Sequence, residues 1–223
     1  MTANLQLRTV MVSGASRGIG GAIARRLHAE GHRLSLGLRN PAAFAADPAM
    51  EALSRSDRVL LHPYDAGRSE TAEAWVASTA ERFGEVGAVV PCAGVFSRVA
   101  VRFAPEEEAE IQRTLQVNLM GPWWLCRAAW SHLEASGDGR ILMLVSKSGL
   151  RVKGRLAAYS ASKFALMALC QAMRNEGWEA GIRVTALCPS WVNTAMAAQV
   201  KAIPPEAMTQ PEDLAATAAH LLT

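Results

Sequence analysis

Residues 14–20 read Gly14-Ala15-Ser16-Arg17-Gly18-Ile19-Gly20 and link two regular segments of the chain. An apolar run over 7–13 precedes them and is typical of a buried strand. After them comes an apolar stripe at helical spacing, formed by Ile19, Ile23 and Leu27. Glycines in such a strand–turn–helix unit let the backbone approach a pyrophosphate, to which the helix N-terminus offers unpaired N–H groups. The stretch therefore favours a dinucleotide site, with an ordinary tight turn as the alternative.

The rest of the chain repeats this alternation of strand-like and helix-like segments, with short turns between them. Six segments are predicted as strands: Leu7–Ser13, Arg33–Leu38, Arg58–His62, Val86–Cys92, Arg140–Ser146 and Ile182–Cys188. Helices are predicted near 18–30, 41–55, 68–83, 105–136 (two helices), 157–180 and 211–222. Alternating strands and helices predict an α/β fold, a doubly wound parallel sheet of about six strands in a single domain over 1–223.

Composition places the chain among ordinary globular proteins. It has 223 residues, of which 50% are hydrophobic and 19% charged, and its formal charge of +3 is too mild to indicate nucleic acid or membrane as a partner. No apolar run reaches the ~18 residues of a membrane span, and the N-terminus lacks a signal-peptide core. We therefore predict a cytoplasmic protein. Reduced, buried thiols are expected for the scattered cysteines, which are Cys92, Cys126, Cys170 and Cys188.

No metal site is predicted, because the histidines show no metal-ligand clustering. Surface or helix-end positions are expected for all five, namely His28, His32, His62, His132 and His220.

The second strand carries a signal for the choice of cofactor. An NAD site usually has an acidic residue about 20 positions after the glycine turn, which holds the ribose 2′-hydroxyl. The segment 31–46 contains no Asp or Glu, and Arg39 stands just after the strand. Together with Arg17, it supplies two guanidiniums suited to a 2′-phosphate. NADP is therefore favoured over NAD, with a solvated loop residue as the alternative reading of Arg39.

A possible proton-transfer group lies between 146 and 163. Tyr159 and Lys163 are four apart on a predicted helix, so they share a face with Cβ atoms ~5–6 Å apart. An ammonium so close lowers the pKa of a phenol from its usual value of about 10. Ser146 ends the predicted strand 140–146, and in an open α/β sheet that end faces the ligand. The pair alone would also fit an ordinary helix surface.

These positions together resemble the short-chain dehydrogenase/reductase family over nearly the whole chain. The turn 14–20 matches that family's cofactor turn. Its catalytic tetrad is matched in order and spacing by Asn118, Ser146, Tyr159 and Lys163. Further cofactor-contacting positions are matched by Asp65, Ala93, Gly94, Pro189, Val192 and Thr194.

The resemblance implies a Rossmann-type fold and NADPH-dependent reduction of a ketone or aldehyde, reversible as alcohol dehydrogenation. Tyr159 is then the general acid/base, and Ser146 hydrogen-bonds the carbonyl oxygen. Lys163 depresses the pKa of the tyrosine and holds the nicotinamide ribose, and Asn118 anchors a water that passes protons to it. Asp65 is implied to contact the adenine. The loop after the sixth strand is implied to hold the carboxamide and a phosphate.

Three departures from the family pattern stand out. Pro91-Cys92 replaces the usual Asn-Asn, so the fourth strand is expected to end at Pro91 and Cys92 to be a buried thiol or a reactive one. Ser190 and Trp191 follow Pro189 where a glycine is usual, and the indole either shapes the substrate pocket or packs beneath the loop. The usual seventh strand is missing, which makes the sixth strand an edge.

The substrate is expected to be a small carbonyl or alcohol compound. The segment 193–208 should cover the pocket, and its apolar residues suggest an uncharged ketone or aldehyde. Lys153 and Arg155 leave open an anionic substrate or an acyl carrier protein, which makes a 3-oxoacyl-thioester reductase the runner-up. A non-catalytic NADP-binding sensor of the same fold is the alternative class.

A homodimer is expected through the helices that follow Asn118 and Tyr159, with a tetramer as the alternative. The interface residues expected there are Trp123, Trp124, Leu166 and Met173.

Overall fold

The fold is built on one parallel sheet of six strands, seen in a computed structural model that describes residues 7–198 and 203–222. The sheet order is β3-β2-β1-β4-β5-β6. The strands are β1 (Thr9–Ser13), β2 (Arg33–Leu38), β3 (Val59–Pro63), β4 (Ala88–Pro91), β5 (Arg140–Leu144) and β6 (Arg183–Leu187). All six predicted strands are confirmed, with ends that differ by a few residues, and β4 ends at Pro91 as expected.

Eight α-helices connect and cover the strands in the described ranges. They are α1 (Gly18–Ala29), α2 (Pro41–Ala45), α3 (Glu51–Ser54), α4 (Ser69–Phe83), α5 (Glu108–Leu115), α6 (Gly121–Ala135), α7 (Ala157–Gly177) and α8 (Pro211–Leu222). The predicted helix 41–55 is interrupted, because Asp47 caps a separate 3-10 turn that begins at Pro48. The predicted pair of helices in 105–136 is confirmed, with a single π-helical turn, Gln116–Met120, between them.

The two faces of the sheet carry two separate apolar cores, as a doubly wound fold requires. Side chains alternate along β1, so Val10 and Val12 enter the core beneath α1 and α8, while Met11 enters the core beneath α4, α6 and α7. Trp75 of α4 is fully buried in the second core, where its ring would clash with any Cβ at Gly37. Both faces of β1 are therefore shielded from solvent, which fits its position in the middle of the sheet.

The strand order reverses between β1 and β4, and this places the ligand site. The chain adds β2 and then β3 on one side of β1, and it then crosses over to form β4 on the other side of β1. Ser13 pairs with Pro91 across that junction, at the carboxyl ends of both strands. In open α/β sheets ligands bind in the crevice at such a switch point. The glycine turn begins at the next residue, Gly14.

Strand β6 is one edge of the sheet in the part of the chain that the structure describes, as expected. Helix α8 packs mainly on α1 rather than along that edge, through Ala215, Ala218 and Leu222. Arg8 fixes the end of α8, because its Nε donates to the Leu222 carbonyl at 2.6 Å and the guanidinium also pairs with Asp138.

His32 lies at the end of α1, where its backbone N–H donates to the Leu27 carbonyl at 3.1 Å. Its side chain is fully buried rather than on the surface, and its Nδ1 accepts a hydrogen bond of 3.1 Å from the Arg8 backbone N–H. Burial lowers the pKa of this imidazole, so the ring is neutral in the folded protein at neutral pH.

The expected interface residues divide between core and surface. Leu166 and Met173 are buried in the protein's own core, so they are not available to a partner subunit. On the same two helices, Trp123 and Phe164 leave 46% and 42% of their surface exposed. None of the helices in 7–198 and 203–222 combines the length and apolar character needed to cross a membrane.

Candidate active site

The glycine turn is held against the end of β4 by contacts that leave no room for a side chain. Gly14 has a φ of +66°, and a Cβ there would lie 2.8 Å from the backbone nitrogen of Ala93. A Cβ on Gly20 would lie 2.5 Å from the Gly14 carbonyl oxygen. The turn therefore needs glycine at both positions, and it leaves bare backbone facing the crevice.

The N-terminus of α1 opens onto the same crevice. Gly18 begins the helix with a φ of +58°, and Arg17 is the N-cap without a side-chain hydrogen bond to the helix. The first N–H groups of a helix have no partner within it, so this end attracts an anion. Thr194 lies above Gly18, with its methyl carbon 3.3 Å from where a Cβ would be. These residues fit the pyrophosphate of a dinucleotide.

Two arginines stand at the outer end of this crevice. Arg17 follows β1 and Arg39 follows β2, and the paired strand ends Ser13 and Gly37 bring these loops side by side. Both side chains are exposed, and neither guanidinium has a hydrogen-bond or ion-pair partner in 7–198 or 203–222. Asp65, after β3, accepts a 2.9 Å hydrogen bond from the Gly67 N–H through Oδ1.

Ser13 organises the end of β4 and was missed by the sequence analysis. Its buried Oγ accepts hydrogen bonds of 3.1 Å from the backbone N–H groups of both Cys92 and Ala93. These bonds hold the segment after Pro91 without the paired asparagines that the family usually has there. Burial raises the pKa of the Cys92 thiol to about 12, so it stays protonated at neutral pH, as an unreactive thiol would.

Ser146 is held in a strained conformation just beyond β5. Its φ is +144°, and among the described residues it is the one non-glycine residue with positive φ. Its Oγ accepts a 3.1 Å hydrogen bond from the Ser148 N–H and caps the 3-10 turn Lys147–Gly149. A Cβ on Gly149 would lie 2.6 Å from the Lys163 carbonyl oxygen, so the turn packs directly on α7. Strain of this kind persists where surrounding structure enforces it, as at active sites.

Tyr159 and Lys163 lie in the first turns of α7, facing Ser146. The Lys163 Nζ lies 5.9 Å from the centroid of the Tyr159 ring and donates a 2.8 Å hydrogen bond to the Leu144 carbonyl. Burial lowers the pKa of this ammonium to about 8. Burial also raises the pKa of the Tyr159 phenol, and interaction with the Ser146 side chain opposes this effect.

The expected lowering of the tyrosine pKa is therefore wrong for this form of the protein. The ammonium donates to the end of β5 instead of the phenol, and the desolvation of the ring outweighs the favourable interaction with Ser146.

Asn118 sits in the π-helical turn and is fully buried. Its side chain bonds both backbone groups of Val95, accepting from the N–H at 2.8 Å and donating to the carbonyl at 2.9 Å. It also donates to the Ser162 Oγ at 3.1 Å, and Ser162 in turn donates to the Tyr159 carbonyl at 2.7 Å. Asn118 thus joins the loop after β4 to the turn of α7 that carries the tyrosine.

The loop after β6 closes the other side of the site. The Pro189 carbonyl accepts a 2.9 Å hydrogen bond from the Lys147 N–H, so this loop is tied to the residue after Ser146. Val192 is buried and forms a bridge with Thr209. Of the segment 193–208 expected to cover the pocket, residues 199–202 lie outside the described ranges.

Phe96 is a second residue that the sequence analysis missed. Its ring meets Tyr159 edge-on, with centroids 5.1 Å apart, and meets Trp191 at 6.2 Å. Trp191 therefore faces the site rather than the underside of the loop. An aromatic residue two positions after Gly94 was the available signal.

The predicted residues lie along the carboxyl ends of the strands. Around β4 and β5 the structure brings together Asn118, Ser146, Tyr159 and Lys163, while Gly14–Gly20, Ala93, Gly94 and Thr194 lie at the switch point. Arg39 and Asp65 lie further out, at the ends of β2 and β3.

Comparison with known proteins agrees with this geometry. The family model described as short chain dehydrogenase matches residues 8–204. An agropine synthesis reductase of Rhizobium rhizogenes is 31% identical over 210 residues, covering 94% of this chain and 48% of that protein. The chain thus spans about half the length of that curated relative.

Solved structures with the same fold include enzymes with bound cofactor. An alcohol dehydrogenase from the archaeon Thermococcus sibiricus complexed with 5-hydroxy-NADP has a TM-score of 0.85 and 29% identity, covering 97% of this chain and 91% of that one. A 3-ketoacyl-(acyl-carrier-protein) reductase from Brucella melitensis complexed with NADH has a TM-score of 0.86 and 27% identity, covering 99% and 92%. The chain belongs to the short-chain dehydrogenase family of oxidoreductases.

Proposed function

We propose that this chain is an NADP-preferring reductase of ketones or aldehydes, working reversibly as an alcohol dehydrogenase. The observation that carries the proposal is the position of Tyr159 beside the strained Ser146, with the Lys163 Nζ 5.9 Å from its ring centroid, next to a glycine turn suited to a dinucleotide. We take residues 1–223 to act as one cofactor-binding domain, and we place the protein in the cytoplasm.

The chain's own residues handle the proton. A bound nicotinamide cofactor supplies the hydride that reaches the carbonyl carbon. Tyr159 donates its hydroxyl proton to the carbonyl oxygen, and Ser146 donates a hydrogen bond to the same oxygen as negative charge develops there. Lys163, buried and cationic near neutral pH, stabilises the tyrosinate that remains. In the oxidative direction Tyr159 takes the proton from the alcohol.

Asn118 acts in this proposal as a positioning residue. Both Nδ2 hydrogens and one acceptor site of Oδ1 are used by Val95 and Ser162, so it fixes the loop after β4 and the turn that carries Tyr159. The Oδ1 keeps a second acceptor site, and the anchoring of a water that passes protons to Lys163 stays a prediction.

The cofactor preference rests on Arg17 and Arg39. Both guanidiniums are exposed and free of protein partners in the described ranges, and they stand on adjacent loops at the adenosine end of the crevice. A 2′-phosphate would receive charge-assisted hydrogen bonds of roughly 1.5–3 kcal/mol each, enough for tenfold or greater discrimination. Residues 14, 18 and 20, with Ala93, Gly94 and the 189–194 loop, would hold the remainder of the cofactor.

The test is an assay of cofactor oxidation on a panel of ketones and aldehydes, with NADPH and NADH in parallel. Tyr159→Phe keeps the ring and removes the proton donor, so turnover should fall by at least ~10²-fold while NADPH still binds. Arg39→Asp should erode or reverse the preference for NADPH. Near wild-type turnover in the Phe variant would contradict the mechanism, and equal affinity for both cofactors in the unmodified protein would contradict the NADP assignment.

Reduction of a 3-oxoacyl thioester is the second candidate. Its support is the 27% identity to the Brucella melitensis reductase over nearly the whole chain. An acyl thioester in the same assay decides whether such substrates are reduced. A non-catalytic NADP sensor would bind cofactor and turn over no member of the panel.

A further inference from the structure

The substrate side of the site has an aromatic wall that extends outward from Tyr159. Phe96 joins Tyr159 at a centroid distance of 5.1 Å and Trp191 at 6.2 Å, both edge-on. All three rings are partly exposed, so their free surfaces line the approach to the phenol. The wall would pack against the carbon skeleton of a substrate.

Arg98 lies on this wall. Its guanidinium carbon is 5.9 Å from the centroid of the Phe96 ring, the same ring that touches Tyr159. The side chain is exposed, and no described residue accepts a hydrogen bond from it or pairs with it. Stacking on an aromatic face fixes the position of the guanidinium while leaving its in-plane N–H groups free.

The surrounding rim is uniformly basic. The segments 97–102 and 151–158 lie together, because the Val99 carbonyl accepts a hydrogen bond of 3.4 Å from the Ala158 N–H. Neither segment contains an Asp or Glu. They contain five basic residues, and none makes an ion pair with another described residue: Arg98, Arg102, Arg151, Lys153 and Arg155.

Many of the arginines elsewhere on this protein are neutralised by acidic neighbours. Eight other arginines form ion pairs with acidic residues, including the exposed pairs Arg55–Glu51, Arg68–Glu70 and Arg127–Glu73. The five basic residues of 97–102 and 151–158 thus form, like Arg17 and Arg39 at the other end of the site, a group of positive charges without ion pairs in the described residues. Such a rim raises the local concentration of anions and speeds their arrival.

We propose that the substrate is an anionic carbonyl compound, and that Arg98 is the residue that selects it by binding a carboxylate or phosphate while the Phe96–Trp191 wall holds the intervening carbons. This inference rests on the proposed carbonyl reductase function, and it replaces the uncharged substrate suggested by the apolar segment 193–208. Arg98 binds at the far end of the substrate and takes no part in proton transfer.

The test uses pairs of carbonyl compounds that differ only in charge. Suitable pairs are 4-formylbenzoate with its methyl ester, and 4-oxopentanoate with its methyl ester. The unmodified protein should show a kcat/KM at least about tenfold higher for each carboxylate at low ionic strength, and the preference should shrink as salt is added.

Variants identify the residue responsible. Arg98→Gln should lower kcat/KM for the carboxylates by about tenfold and leave the esters within about twofold, since it removes a charge-assisted contact. Arg98→Lys keeps the charge but loses the planar fork, so it should restore part of the preference. Arg174→Gln is the matched control, because Arg174 is likewise stacked on an aromatic ring, Trp178, at 5.5 Å, but at the far end of α7.

The outcomes separate this inference from the function on which it rests. Esters reduced as well as carboxylates, or equal losses for both in Arg98→Gln, would overturn the anion selection while leaving the reductase intact. Absence of turnover with every pair would overturn the reductase. In that case calorimetric titration with 4-(hydroxymethyl)benzoate and NADP still decides: tighter binding than its methyl ester, lost in Arg98→Gln, supports anion selection, and equal binding refutes it.

Discussion

Lys163 allows a quantitative prediction of how stability depends on pH, because its burial disfavours the charged form of the side chain. The ammonium is buried with 7% of the residue exposed, its hydrogen-bond acceptor among the described residues is the Leu144 carbonyl, and burial lowers its pKa from 10.5 to about 8. The unfolded chain binds this proton up to about pH 10.4, whereas the folded protein releases it near pH 8. Keeping the charged lysine folded at neutral pH therefore costs about 3 kcal/mol.

The sign of the pH dependence follows directly. Between the two pKa values the unfolded state binds more protons than the folded state, so the free energy of unfolding rises with pH. The contribution of Lys163 should increase by about 2 kcal/mol between pH 7 and 9.5. The Lys163→Met variant has no ionisable group at this position, so its free energy of unfolding should not show this rise between pH 7 and 9.5.

Buried thiols make the free energy of unfolding fall as the pH rises, which is opposite to the effect of Lys163. The prediction is therefore stated as a difference between the variant and the wild type. Burial raises the pKa of Cys92 and of Cys170 to about 12, so stability is lost as the unfolded thiols ionise above about pH 8.5. Both proteins share these thiols, and subtracting the two curves removes most of their effect. The assay is urea unfolding followed by tryptophan fluorescence in reducing buffer without cofactor.

The expected result is that the free energy of unfolding of the variant minus that of the wild type falls by about 2 kcal/mol as the pH rises from 7 to 9.5, because the wild type gains stability over this range and the variant does not. The unpaired Leu144 carbonyl adds a constant penalty of about 1–3 kcal/mol to the variant, which shifts the curve without changing its slope. Two parallel curves would refute the claim that the folded lysine is desolvated.

The remaining predictions concern the cofactor turn and the oligomer. Gly20→Ala places a methyl group 2.5 Å from the Gly14 carbonyl, so we expect a loss of roughly 1–3 kcal/mol in stability and at least tenfold weaker NADPH binding by fluorescence titration. Gly87→Ala is its control, because the added methyl meets only ordinary contacts of 3.5 Å, and an equal loss there would contradict the argument. We predict a homodimer through α6 and α7, and Trp123→Glu should shift light-scattering mass toward the monomer, because Trp123 is 46% exposed. A stable tetramer of the unmodified chain in dilute solution would rule the dimer out.

The fold was predictable because its signals are local in sequence. The glycine turn is visible as seven consecutive residues between a strand pattern and a helix pattern, and the apolar runs repeat with the period of each element. The edge position of β6 followed from counting strands. The order of Asn118, Ser146, Tyr159 and Lys163 along the chain likewise needed no structure to be noticed.

What the sequence analysis missed depends on contacts between distant segments. Nothing near Ser13 signals that its hydroxyl holds the N–H groups of Cys92 and Ala93, some 80 residues away in the chain. The place of Phe96 in the site is evident only in the folded structure, where its ring packs against Tyr159. The predicted direction of the Tyr159 pKa shift was wrong for a related reason. Helical spacing predicts that Lys163 is near the tyrosine, but only the folded structure decides which group accepts a hydrogen bond from the ammonium and how strongly burial raises the pKa of the phenol.

The distribution of energetic costs favours the enzyme over a non-catalytic sensor. Ser146 holds a positive φ, Lys163 holds a desolvated charge, and Asn118 occupies a π-helical turn, all within one connected region between β4, β5 and α7. A cofactor sensor requires the glycine turn and the arginines of the adenosine end, none of which needs these three features. Local strain and buried charge persist where function requires them, since folding alone would select against both. The costs lie around Tyr159, the proposed proton donor, which is where the proposed carbonyl reduction requires fixed geometry.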